Sequence, residues 1–86
     1  MADLNILYFA WVRERIAKDG ERVARPEPGM SIAALLNALS ATTPGHAEAF
    51  ADRTRLRAAL DQRFVPLDTL IGDAHELAIF PPVTGG

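Results

Sequence analysis

The chain has 86 residues, 49% hydrophobic and 23% charged, with a formal charge of -2. That length supports one domain, burying about 60–65% of its unfolded surface around a single modest core. The balance of charge argues against nucleic acid as the main partner, since phosphate binding needs a dense basic surface.

No cysteine is present, so disulfides, thiolate nucleophiles and thiolate metal sites are excluded. The N-terminal residues lack the basic and apolar regions of a secretory signal. No apolar run approaches the roughly 20 residues that span a bilayer. A cytoplasmic protein without a membrane partner is the expectation.

In chain order, Leu4–Ala10 reads as a strand. Leu4, Ile6 and Tyr8 alternate with Asn5, Leu7 and Phe9, so both faces are largely apolar. The strand is therefore either covered twice or keeps one face for a partner. Trp11–Ile16 reads as a short helix closed by the Lys18-Asp19-Gly20 turn, and Glu21–Arg25 as a second strand, paired with the first as a hairpin. Pro26-Glu27-Pro28-Gly29 breaks the chain, and Ser31 is placed to cap the next helix. Ile32, Leu35, Leu36 and Leu39 then recur at helical spacing as one apolar stripe. Pro44 and Gly45 stop that helix by Thr43, and Ala47–Phe50 adds a helical turn.

Leu56–Leu60 and Phe64–Leu67 read as short strands around Asp61-Gln62. Leu70–Asp73 reads as a connecting turn. Glu76–Phe80 is the final strand, ended by Pro81, which cannot donate to a ladder. The order β-β-α-β-β-β predicts an α+β domain with a sheet packed on one main helix.

Little inside the domain suggests catalysis. His46 and His75 stand apart from any acid at metal-ligand spacing, and are expected at the surface or hydrogen-bonded. No serine pairs with a histidine and an acid, and no glycine-rich loop feeds a helix. Arg53, Arg55, Arg57 and Arg63 form a basic cluster, read as a solvated or partner-facing stretch, with a site for an anionic ligand as the alternative.

The C-terminal segment is different. Pro81-Pro82 favours extended geometry, and the β-branched Val83 and Thr84 do too. Gly85-Gly86 offers a backbone without side chains, suited to a narrow space. Fully extended, Pro81–Gly86 would reach about 20 Å at roughly 3.3 Å per residue. An α-carboxylate, with a pKa of about 3.5, is a poor acceptor of nucleophiles until another protein activates it, for instance by adenylation.

Phe80-Pro81-Pro82-Val83-Thr84-Gly85-Gly86 resembles the ending of the MoaD/ThiS sulfur-carrier family, which includes the small subunits of molybdopterin synthase. Ile6–Glu14 resembles that family's first strand and its Phe-Ala-x-x-Arg-Glu run. The helical stripe, Ala58–Gln62 and Gly72–Ala78 fit the same register. Trp11 and the basic Arg53–Arg57 stretch depart from the family's pattern.

The resemblance implies a ubiquitin-like β-grasp fold over residues 1–80, with residues 81–86 as an extended tail. It implies that Gly86 is adenylated, converted to a thiocarboxylate and threaded, with Gly85, into the large subunit of the synthase. Sulfur would there pass to cyclic pyranopterin monophosphate in molybdenum cofactor biosynthesis. The implied partners are that large subunit, an adenylating enzyme and a sulfur donor protein. ATP would be used by the activating enzyme, with no cofactor bound by this chain, a non-catalytic subunit of a heterotetramer. Phe9, Phe64 and Phe80 match the family's apolar docking patch, which Pro81, Pro82, Val83 and Thr84 continue; the alternative is that the three rings fill the core of this small domain. The alternatives are a carrier for thiamine thiazole synthesis, a ubiquitin-like protein modifier, and a plain interaction domain.

Overall fold

Alternation of apolar and polar residues builds the first strand, and a backbone in the left-handed region ends it. The computed structural model describes residues 3–82. Strand β1 spans Asp3–Tyr8, with Leu4, Ile6 and Tyr8 buried. Ala10 takes a φ of 55° and opens helix α1, Ala10–Ile16, with Phe9 at its N-cap. The strand is thus shorter than the expected Leu4–Ala10, because Phe9 and Ala10 turn the chain away. Val12 and Ile16, one helical turn apart, are the buried residues of α1. Ala17, at φ 67°, closes the helix as its amide donates to the Arg13 carbonyl at 2.8 Å.

Strand β2, Gly20–Ala24, pairs antiparallel with β1. A helix separates the two, so the connection is longer than a hairpin turn. Helix α2, Ile32–Ser40, buries Ile32, Leu35, Leu36 and Leu39 as the stripe requires, and Ser31 Oγ accepts from the Ala34 amide at 3.1 Å. Pro44 does stop α2 from continuing, but it also begins α3, Pro44–Ala49. There the missing N–H of proline costs nothing in the first turn, and Thr43 Oγ1 caps the helix by accepting from the His46 amide at 3.1 Å. Gly45 lies where α3 meets α1: a Cβ there would stand 2.6 Å from the Arg15 carbonyl oxygen.

A 3-10 turn at Arg53–Arg55, capped by Asp52, leads into β3, Arg57–Leu60, and β4, Arg63–Val65. Both strands are shorter than the expected Leu56–Leu60 and Phe64–Leu67. The chain leaves β4 to clamp the start of α2: the Ile32 and Ala33 amides donate to the Thr69 and Leu67 carbonyls at 3.0 and 2.8 Å. Strand β5, Glu76–Phe80, has its expected bounds.

The five strands form one sheet in the order β2-β1-β5-β3-β4. β1 and β5 run parallel at its centre, and the other pairs are antiparallel. Leu4, Ile6, Tyr8, Ala58, Leu60, Leu77 and Ile79 join the buried stripe of α2, Val12 and Ile16 of α1, and Phe50 in one core. This is a ubiquitin-like β-grasp, α+β, in which α3 packs against both α1 and the main helix. Among the described residues no helix is long and apolar enough to cross a membrane.

Candidate docking face

The register that buries one set of side chains lifts the alternate set onto the opposite face of the sheet. Gly20, Leu7, Ala78, Ala59 and Phe64 are successive partners across all five strands, in sheet order. The small residues in the middle leave a trough between Leu7 and Phe64. Phe9 and Phe80 close one end of it, and the polar Gln62 and Glu76 the other; the hollow measures about 440 Å³.

Phe64 is 79% exposed and Phe9 47%, while Phe80 is half-buried. The Phe64 and Phe80 rings stack at a 45° tilt with centroids 5.4 Å apart. The three aromatic side chains singled out from the sequence thus stand on the sheet's uncovered face rather than in the core. Exposed large apolar groups brought together in this way mark an interaction surface. Leu7, Ala59 and Ala78 belong to the same trough but were missed. The alternation of β1 pointed to Leu7, whereas nothing local marks two alanines as a floor.

Half-buried Pro81 and Pro82 continue directly from Phe80, so the chain leaves the sheet beside this face. Val83, Thr84, Gly85 and Gly86 lie outside the described residues.

The expected arginine cluster is divided. Arg53 fastens the 3-10 turn to α2, its Nε donating to the Phe50 carbonyl at 2.6 Å and a terminal nitrogen to Asn37 Oδ1 at 2.7 Å. Arg55 lies over the Trp11 ring, 5.0 Å from its centroid, in a cation–π contact. Arg57 is the strand partner of Phe80, and its guanidinium donates to the Leu56 and Thr54 carbonyls at 2.8 and 3.2 Å.

Away from the open face lies a polar network that the sequence did not reveal. Glu21 Oε2 accepts from the Tyr8 hydroxyl at 2.6 Å and meets His46 Nε2 at 2.6 Å. Lys18 Nζ stands 3.5 Å from the other carboxylate oxygen. His46 is buried, with Nδ1 2.6 Å from Thr43 Oγ1. An ionised carboxylate can only accept, so Nε2 carries a proton and donates to it. Burial by itself would raise the Glu21 pKa, but the Tyr8 and His46 hydrogen bonds and the nearby His46 and Lys18 charges hold it below the usual carboxylate range. Burial first, then the bond to Glu21 and its negative charge, push the Tyr8 phenol well above its ordinary value.

Among the described residues no buried polar side-chain atom of this network lacks a partner, and the network fastens β1, β2 and α3 together. Among the described residues no group of three or more His, Cys, Asp or Glu could hold a metal ion.

The ThiS family model matches residues 6–86. The molybdopterin synthase sulfur carrier subunit of Escherichia coli (strain K12) is 39% identical over 83 residues, covering 96% of this chain and 99% of that one. Its counterpart in Mycobacterium tuberculosis is 30% identical over 89 residues, covering all of both chains. Among solved structures, SAMP1 from Haloferax volcanii superposes with a TM-score of 0.73 at 23% identity, covering 99% of this chain and 100% of that one, a likeness of fold.

Proposed function

We propose that this chain, which belongs to the ThiS family, is the sulfur-carrier subunit of a molybdopterin synthase. The observation that carries the reading is the match, over nearly the full length of both partners, to carrier subunits of that enzyme. The family match running through Gly86 supports placing the chemistry there.

In this reading the Gly86 carboxylate attacks the α-phosphorus of ATP in an adenylating enzyme, releasing pyrophosphate and forming an acyl adenylate. A sulfur donor then supplies sulfur at the oxidation level of sulfide, AMP leaves, and a thiocarboxylate remains. That group donates its sulfur to cyclic pyranopterin monophosphate in the large subunit, and water cleaves the bond between that sulfur and the Gly86 carbonyl carbon, returning Gly86 as a carboxylate. Gly85 lets the backbone enter a narrow channel because it has no side chain to exclude. Val83 and Thr84 favour the extended chain that reaches in.

The carrier contributes no acid, base or metal to the reaction; its part is presentation. Phe9, Phe64, Phe80, Pro81 and Pro82 dock, fixing where the tail begins. Burying each phenylalanine side chain contributes about 1.5–3 kcal/mol before the costs of association. The chain binds no cofactor in this scheme, and the pathway is cytoplasmic.

Intact-mass analysis after incubation with an adenylating enzyme, ATP and a sulfur donor tests the proposal. One oxygen-for-sulfur exchange, localised to Gly86 by fragmentation, is the expected result. Isopeptide-linked adducts on lysines, with no thiocarboxylate, would favour a protein modifier and overturn it.

A further inference from the structure

Once the sheet has sorted the arginines of the Arg53–Arg63 cluster, one of them stands on the apolar face. Arg63 is the strand partner of Leu60, which is buried, so the register directs Arg63 away from the open face. Arg53 and Arg55 are engaged as described. Arg57 is opposite Phe80 and lines a second hollow of about 440 Å³ together with Phe64, Val65, Pro66 and Phe80. Its guanidinium is tied through one nitrogen to two backbone carbonyls, which pre-orders the group and reduces the entropy lost on further binding.

Among the described residues no carboxylate forms an ion pair with Arg57. Asp52 instead accepts from the Thr54 amide. Any partner that covers Phe64 and Phe80 must therefore partly desolvate an exposed, uncompensated guanidinium at the edge of the contact. Desolvating a charge without supplying its opposite offsets the gain from the apolar contacts beside it. A carboxylate answers this requirement, because its two oxygens match the fork of guanidinium N–H groups. The chain's net charge is -2, so attraction of an acidic surface to this corner is a local effect against the overall charge.

We propose that the subunit receiving the C-terminal segment carries one or more carboxylates beside the mouth of its pocket, and that Arg57 recognises them. This rests on the carrier reading and adds the chemistry of the partner surface. Such a contact at the edge of an interface acts mainly on the rate of association and on its response to salt.

The test measures association of the purified large subunit with the native chain, Arg57→Glu and Arg63→Glu by stopped flow at low and high salt. Thermal melts establish that both variants fold. The two substitutions alter net charge equally, but only one changes the open face. Arg57→Glu is expected to slow association about tenfold at low salt, with the difference shrinking at high salt. Arg63→Glu is expected to stay within about threefold of native by the same screening argument. Equal slowing by the two, or none by Arg57→Glu, would overturn the acidic-mouth inference and leave the carrier reading standing. Failure of the native chain to bind the large subunit would overturn both.

Discussion

Replacing Tyr8 by Phe removes one hydroxyl from the Tyr8–Glu21–His46 network while keeping the aromatic ring in the core. Tyr8 is 2% exposed, and its hydroxyl donates to a carboxylate at 2.6 Å. A hydrogen bond to a charged group contributes about 1.5–3 kcal/mol, and the loss is not made good by water at a buried site. We expect Tyr8→Phe to cost about 2 kcal/mol at pH 7, lowering Tm by roughly 10 °C for a domain of this size. Urea denaturation at several pH values measures the effect. The Glu21 carboxyl has a lowered folded pKa, so its contribution is present above its unfolded pKa and is lost as pH falls through the lowered folded value. The penalty of Tyr8→Phe should therefore be full at pH 7 and shrink below about pH 4. On the alkaline side the sign reverses. The raised Tyr8 pKa gives stability that is complete below the ordinary phenol value and lost as pH rises above it, a loss that Tyr8→Phe removes. A cost under about 0.5 kcal/mol at pH 7, or an equal cost at pH 7 and pH 3, would refute the charge-assisted bond.

Two further substitutions separate docking from folding. Phe64 is 79% exposed, and a phenylalanine presents about 150–250 Å². At about 25 cal/mol per Å², less what alanine retains, Phe64→Ala should weaken large-subunit binding by about 2 kcal/mol, or roughly 30-fold in Kd by calorimetry. Because so little of the ring is buried, folding stability should change by no more than about 0.5 kcal/mol. Asp61 and Gln62 form the β3–β4 turn with φ of 47° and 71°. Asp61 repays its strain because its carboxylate accepts from the His75 and Glu76 amides at 2.9 and 3.0 Å. Gln62 makes no comparable bond among the described residues, so Gln62→Gly should stabilise by about 1 kcal/mol, seen as a higher denaturation midpoint.

Much of the fold was legible because its elements carry local signals. The α2 stripe, its Ser31 cap and the alternation of Leu4, Ile6 and Tyr8 each depend on residues only a few positions apart. Boundaries were less legible where one residue serves two roles. Pro44 ends one helix and starts the next, and Phe9 keeps the facing of β1 while capping α1. Phe9, Phe64 and Phe80 were singled out through the family resemblance. Their exposure was not legible, since a phenylalanine in a small domain fits a core equally well.

By itself the sequence determined the strand alternation, the helical stripe and the resemblance of both ends to sulfur carriers. Those properties reside in neighbouring residues and in order along the chain. Tertiary structure alone decided that α1, α2 and α3 cover one side of the sheet, leaving Leu7, Phe9 and Phe64 outside. It also brought His46 to Glu21 across 25 positions and set Arg57 opposite Phe80. Each of these follows from which strands pair and which face is covered, and that depends on packing between segments far apart in the chain.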